Sequence, residues 1–247
     1  MKQLSPEQAV AVILAGGLGT RVRHLLPDLP KPMAPVNGRP FLEWIVRYLV
    51  RMGVHRMVIS TGHKAGIVAQ HFERQPVKGA VVRCVAESQP LGTAGGFLNA
   101  IAGTESPPCW LVLNGDSLAL ANLEPLFLPL EDASVAGVIL GLKVEDASRY
   151  GTVACDPEGW LVSFQEKRPG AGIINAGVYL LRASAVAEFP RQFPLSFERE
   201  VFPALYAGRK RLKVCVTRAP FLDIGTPETL PQAAEFLKQH QQTFSNL

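Results

Sequence analysis

Four apolar runs in the first half of the chain, VAVIL (10–14), RMVIS (56–60), VVRCVA (81–86) and WLVL (110–113), stand far enough apart to leave room for a helix between neighbours. They are rich in β-branched residues and close on glycine or polar residues, which marks strands. Between the first two, PFLEWIVRYLVRMG places Phe41, Leu42, Ile45, Val46, Leu49 and Met52 at intervals of three and four, the period of one helix face, and Gly53 supplies the stop. Helical patterns at about 64–74 and 94–101 complete a βαβαβαβ order. A strand–helix–strand crossover returns parallel, so this order predicts an α/β fold with a doubly wound, mostly parallel sheet.

From about residue 133 the texture changes. ASVAGVILGLKV, GTVACDPEGWLVSF and INAGVYLL read as strands, with Asp156-Pro157-Glu158-Gly159 as a hairpin turn. A helix over about 197–207 opened by Ser196, a strand LKVCV and a last helix after Thr226-Pro227-Glu228 follow, the proline suiting a first turn. No linker, repeat or low-complexity stretch divides the chain. The prediction is one domain over 1–247, with halves of about 10–130 and 131–225 and a C-terminal helix over about 226–247.

With 247 residues, 47% of them hydrophobic and 19% charged, the chain can bury a sizeable core and does not read as disordered. A net charge of +4 favours small anionic partners but is too low to indicate nucleic acid. Cys84, Cys109, Cys155 and Cys215 have neither zinc-ligand spacing nor the density of a disulfide framework, and read as reduced thiols of a cytoplasmic protein. The N-terminal apolar run ends in glycines rather than at a signal-peptidase site, and no segment approaches the roughly 18 apolar residues of a membrane span. The expectation is a chain neither exported nor membrane-anchored.

The stretch after the first strand, AGGLGTRVRHLLPDLPKP, admits three phosphate-loop readings. A Walker A loop needs a lysine at the helix start against the terminal phosphates, and none is there. A dinucleotide fingerprint would match Gly17 and Gly19 but puts Val22 at the third glycine, where close helix packing leaves no room for a side chain. Pro27, Pro30, Pro32 and Pro35 then forbid the long helix that should follow. The third reading has bare glycine N–H groups wrapping a triphosphate, with Arg21 and Lys31 delivered by a proline-stiffened segment. The bland alternative is a tight turn with incidental basic residues.

LAGGLGTRV followed by PKPMAPVNGRPFLEW resembles the signature of the sugar-1-phosphate nucleotidylyltransferases. ESQPLGTAGG (87–96) is similar to the family's base-binding loop, LNGDS (113–117) to the segment carrying its first metal carboxylate, and FLDIGTPE (221–228) to the segment carrying the second. RYGTV, QEK and NAGVY resemble its sugar-binding segments. The likeness spans about residues 10–235. It implies the Rossmann-like nucleotide-diphospho-sugar transferase fold, a nucleotide-binding first half and a β-rich sugar-binding lobe. Within the family, NGDS ending in Ser117, PDLPKP and a chain without a C-terminal repeat domain are most similar to guanylyltransferases acting on manno-configured sugar 1-phosphates.

In such an enzyme a sugar 1-phosphate attacks the α-phosphorus of a nucleoside triphosphate and pyrophosphate leaves. The attacking monoester has a second pKa near 6 and is already largely dianionic, so no general base is needed. Catalysis reduces to aligning two polyanions and neutralising charge on the leaving group. The resemblance assigns the nucleotide to Leu14, Ala15, Gly16, Gly17, Gly19, Thr20, Arg21, Glu87, Gly92 and Thr93, and Mg²⁺ to Asp116 and Asp223. Arg21 would fork onto the β and γ phosphates, and Lys31 would act as a point charge near the α-phosphate. Lys167 would bind the incoming sugar phosphate, with Glu166, Asn175, Tyr150 and Gly151 around the sugar. Arg168 separates Lys167 from Pro169, where many relatives have proline directly. Turn, capping and solvated-charge roles are the alternatives for Asp116, Asp223 and the 166–168 group respectively.

Guanine presents two adjacent donors, N1–H and the 2-amino group, and a carboxylate accepts both. Glu87, placed after a strand and before a small-residue loop, therefore favours GTP, unless it merely caps the next turn. His63 reads as a structural hydrogen-bonder, and the other histidines have no metal-ligand spacing. Rival readings are a uridylyl- or thymidylyl-transferase acting on another sugar, and a non-catalytic nucleotide-sugar sensor. The retention of Arg21, Lys31, Asp116, Lys167 and Asp223 together disfavours the sensor. The expected partners are a nucleoside triphosphate and a sugar 1-phosphate, with a homo-oligomer left open.

Overall fold

A computed structural model of the chain describes residues 3–165, 169–207 and 211–244. In chain order the elements are β1 (Val10–Ala15), β2 (Pro35–Val36), β3 (Arg39–Pro40), α1 (Phe41–Arg51), β4 (Arg56–Thr61), α2 (Ala65–Arg74), β5 (Val81–Ala86), α3 (Thr93–Ile101) and β6 (Cys109–Asn114). The second half carries β7 (Ser117–Ala119), β8 (Val135–Val144), β9 (Thr152–Cys155), β10 (Leu161–Gln165), β11 (Gly172–Arg182), α4 (Phe202–Ala207), β12 (Arg211–Thr217), β13 (Phe221–Asp223) and α5 (Ala233–Gln239).

One nine-stranded mixed sheet runs through the molecule in the order β10-β9-β11-β6-β1-β4-β5, with β8 paired to both β11 and β12. β1 is parallel to β4 and β6, and β4 to β5, as the crossover pattern predicted. The β-rich half continues this sheet: β11 joins antiparallel to β6, pairing Val178 with Leu113 and Leu181 with Trp110.

Both faces are covered, which is why the strands read as unbroken apolar runs rather than alternating ones. Ala11 and Ile13 of β1 pack in one core with Phe41, Leu42, Ile45 and Leu49 of α1. Val10 and Val12 point the other way, into a core with Phe97 of α3 and Trp110 of β6. Fully burying each of the larger side chains contributes about 1.5–3 kcal/mol. Gly53, at φ +82, ends α1 where a side chain would be strained.

Two helix expectations need correction. The segment opened by Ser196 begins as a π-helical turn, Phe197–Val201, before continuing as α4, although Ser196 Oγ caps it by accepting from Glu198 N and Arg199 N. The last helix starts at Ala233, not after Pro227: Thr226–Thr229 closes as a turn held by its two hydroxyls, and Pro231 opens a short 3-10 turn first. Among the described residues no helix is long and apolar enough to cross a membrane.

Parallel strands end together. β1, β4 and β6 therefore deliver the loops at Gly16, Gly62 and Asp116 to one sheet edge, the place where open α/β folds bind ligands.

Candidate active site

At that edge lies a cleft of about 340 Å³. Its walls are Leu14 and Ala15 at the end of β1 and Gly16, Gly17 and Leu18 after it, Lys31 and Pro32, Glu87, Pro90, Gly92 and Thr93 before and at the start of α3, and Asn114 at the end of β6 with Asp116 just beyond. Glu87 N donates to Thr61 O at 2.7 Å, extending the β4–β5 pairing by one bond. Its Oε1 accepts from Ser60 Oγ (3.0 Å) and its Oε2 from Leu91 N (3.2 Å). A Cβ on either Gly16 or Gly96 would lie 2.5 Å from Oε1, so the two glycines make room for the carboxylate. Each oxygen has one protein donor in these bonds and so has acceptor capacity to spare.

Lys31 sits between Pro30 and Pro32, and the buried Pro32 and Met33 anchor the short turn that carries it. Its ammonium pairs with the Asp116 carboxylate, with the lysine side chain only 11% exposed. The two-stranded pairing of β7 with β13 sets Asp223 opposite Ser117, and Ile224 N donates to Asp116 O at 2.9 Å. The two acids thereby meet at one end of the cleft. Burial first, and then the charge of Asp116, pushes the Asp223 carboxyl above the usual carboxylate range, while the Gly225 N–H, Lys31 and Arg21 pull it back. Arg21 reaches the same corner: its Nη2 lies 3.5 Å from where a Cβ on Gly225 would stand.

Beyond Asp223, the Tyr150 ring meets Phe221 edge-on at 5.4 Å, and Asn175 N donates to Gly151 O at 2.9 Å. Asn175 Nδ2 donates to Tyr179 Oη at 2.8 Å. Glu166, Lys167 and Arg168 lie outside the described residues.

The cleft thus gathers Leu14, Ala15, Gly16, Gly17, Lys31, Glu87, Gly92, Thr93 and Asp116 of the expected set. Gly19, Thr20 and Arg21 form the adjoining turn, and Asp223, Tyr150, Gly151 and Asn175 lie beyond the Asp116 end. Thr93 has a second duty, since its Oγ1 accepts from Phe197 N at 3.0 Å. Leu18, Pro32, Pro90 and Asn114 also line the cleft, and sequence reasoning assigned them nothing. Their only signal was adjacency to assigned residues. His63 is hydrogen-bonded, at 3.5 Å, to Arg23 outside the cleft.

A pocket lined by a glycine loop, a lysine paired with an acid and a second carboxylate, with Asp223 and Arg21 beside the pair, suits the binding of a phosphorylated ligand. Residues 10–240 match the nucleotidyl transferase family, and the chain is a member of it. It is 36% identical over 222 residues to the D-glycero-α-D-manno-heptose 1-phosphate guanylyltransferase of Campylobacter jejuni, a span of 88% of this chain and 95% of that protein. Against the mannose-1-phosphate guanylyltransferase of Mycobacterium tuberculosis the identity is also 36%, over 91% of this chain and 63% of the other. The crystal structure of HddC from Yersinia pseudotuberculosis complexed with GMP-PN superposes with a TM-score of 0.78 at 34% identity, covering 92% of this chain and 98% of that one.

Proposed function

We propose that the protein transfers GMP from GTP to a manno-configured sugar 1-phosphate, D-glycero-α-D-manno-heptose 1-phosphate being favoured, and releases pyrophosphate. The observation that carries this is the convergence of Glu87, the Gly16–Gly17 loop, Lys31 and Asp116 on one cleft, with Asp223 and Arg21 at its end. Mannose 1-phosphate is the second reading, favoured by the equal identity to the mycobacterial relative.

A phosphate oxygen of the sugar 1-phosphate forms the new bond to the α-phosphorus of GTP. The α–β bridging bond breaks, and its electron pair leaves with pyrophosphate. Lys31, paired with Asp116 at the cleft, would neutralise the α-phosphate, and Arg21 would offer a planar fork to the departing phosphates; the pairing and the approach of Arg21 to Gly225 support this. Glu87 offers its spare acceptor sites to N1–H and the 2-amino group of guanine. Lys167 takes the sugar's phosphate, and Asn175, Glu166 and the Tyr150–Gly151 turn take the sugar.

The donor set fits Mg²⁺. Two carboxylates that repel each other and draw on Lys31 and Arg21 for relief would both hold a hard cation. Among the described residues no third His, Cys, Asp or Glu joins them, which suits an ion that takes its remaining ligands from water and phosphate oxygens. Bound there, Mg²⁺ supplies positive charge against the negative charge gathering on pyrophosphate.

Four nucleoside triphosphates assayed against several sugar 1-phosphates, with pyrophosphate as the readout, test the proposal. GTP with the heptose or mannose 1-phosphate should give the highest kcat/KM. No pyrophosphate with any pair would return the chain to the sensor reading.

A further inference from the structure

The side chain of Asn175 is held by groups that the proposed reaction does not use. Tyr179 is buried, at 1% exposure, and its single hydroxyl proton goes to Glu198 Oε1 at 2.7 Å. A carboxylate only accepts, so the phenol oxygen has a lone pair left for Asn175 and takes an N–H from Nδ2. From the other side Gly177 N donates to Asn175 Oδ1 at 3.0 Å. Both contacts demand the same orientation of the amide. One N–H on Nδ2 and one lone pair on Oδ1 remain, which matches a hydroxyl group that can accept and donate.

Glu198 is itself aimed. Its Oε2 accepts from Ser196 Oγ at 2.8 Å, while its backbone N–H donates back to that oxygen at 3.2 Å. It sits in the π-helical turn Phe197–Val201, where a widened turn re-aims side chains, a device found often at functional sites. The segment before that turn is fastened to the base side of the cleft: Leu195 N donates to Leu91 O, and Ala94 N to Leu195 O. Burial, followed by the charge of Glu198, raises the Tyr179 phenol well above its ordinary value, so its proton stays in place through the neutral range.

Packing alone does not account for the hydroxyl. The Tyr179 ring already contacts Phe197 and Phe202, with centroids 5.5 and 5.0 Å away, and phenylalanine would keep both contacts without burying polar atoms. We infer that Tyr179 and Glu198 are positioning residues that fix the Asn175 amide for the sugar of the sugar 1-phosphate. The inference rests on reading Asn175 as a sugar-binding residue.

The test is steady-state kinetics with GTP and D-glycero-α-D-manno-heptose 1-phosphate, varying each in turn. Tyr179→Phe should raise the KM for the sugar phosphate about 5- to 20-fold, as expected when a hydrogen-bond partner is lost from an ordered site, and should leave the GTP KM and kcat within about twofold. Glu198→Leu should do the same, and serves if the tyrosine variant fails to fold. Glu198→Gln keeps an oxygen to accept the phenol proton and should restore most of the sugar-phosphate affinity. Asn175→Ala, run alongside, should raise the same KM at least as far. The positioning role is overturned if Asn175→Ala raises that KM while folded Tyr179→Phe and Glu198→Leu leave it unchanged. It is equally overturned if those two variants shift both KM values and kcat together, the mark of a structural role. An unchanged KM in Asn175→Ala would instead remove the reading of Asn175, and the inference with it.

Discussion

Replacing Glu87 by glutamine separates reading the base from holding the loop. The carboxylate accepts from Ser60 Oγ at 3.0 Å and from Leu91 N at 3.2 Å, and Ser60 Oγ also lies 3.1 Å from Gly96 O. Glutamine can place its oxygen toward Leu91 N and its amide nitrogen toward Ser60, whose hydroxyl then accepts from that nitrogen and gives its proton to Gly96 O. No protein hydrogen bond need be lost, and the shape is unchanged, so stability should move by less than about 0.5 kcal/mol. Guanine fares differently. An amide nitrogen has no lone pair to offer, so one of the two guanine donors faces a donor and goes unsatisfied, at a cost of about 1–3 kcal/mol, or roughly 5- to 150-fold in kcat/KM for GTP. Uracil and thymine, with one donor flanked by acceptors, suit an amide better, so the gap between GTP and UTP or dTTP should narrow. Competition kinetics with paired nucleotides measures this directly. A variant that keeps the full wild-type preference for GTP would show that Glu87 only caps the Leu91 turn.

Asp116→Asn and Asp223→Asn should each lower turnover by about 10² or more, measured at saturating Mg²⁺, because each removes one charge from a clamp that acts on the leaving group. Thermal stability should fall far less than turnover, because the attraction to Lys31 or Arg21 that each variant loses is offset by relief of the repulsion between the two acids; near-normal turnover would remove that residue from the metal site. Lys31→Ala should chiefly lower kcat, whereas Lys167→Ala should chiefly raise the KM for sugar phosphate; the reverse pattern would mean their roles are exchanged. Away from the site, Glu43 is 2% exposed, and although burial opposes its ionisation, hydrogen bonds from Arg47, His71 and Arg39 hold its carboxyl below the usual range. A group whose folded pKa is depressed stabilises above its unfolded pKa and loses that contribution as pH falls through the folded value. Urea unfolding at neutral pH should therefore show Glu43→Ala destabilised by about 3–5 kcal/mol, with the gap to wild type narrowing below pH of about 4; a gap independent of pH would contradict the ion-cluster account.

The parallel strands β1, β4 and β6 were legible because each is buried on both faces, which forces an apolar run such as Val10–Ala15 rather than an ambiguous alternation. The glycine loop and Lys31 were legible because their prolines and glycines exclude competing loop types. Other features depend on residues far apart in sequence. Asn114 lines the cleft only because β6 ends beside β1, and Glu43, whose partners Arg39 and Arg47 lie four residues to either side, meets His71 only because α2 packs there. No spacing rule connects Asn114 with β1 or Glu43 with His71. The onset of α5 was misplaced because two proline-opened turns, at Pro227 and Pro231, follow closely and local propensity does not choose between them. The π-helical turn at Phe197–Val201 has no local signature either; it is fixed by bonds to Thr93 and Tyr179, more than a hundred and nearly twenty residues away respectively.

The central claim is the bond exchange itself, and phosphorus NMR of the purified protein with GTP, Mg²⁺ and D-glycero-α-D-manno-heptose 1-phosphate follows it atom by atom. The α, β and γ signals of GTP and the monoester signal of the sugar phosphate should fall together. They should be replaced, one for one, by free pyrophosphate and the coupled pair of a sugar diphosphate nucleoside. Orthophosphate and GDP in place of that pair, or a spectrum that does not change with this sugar or with mannose 1-phosphate, would contradict the account.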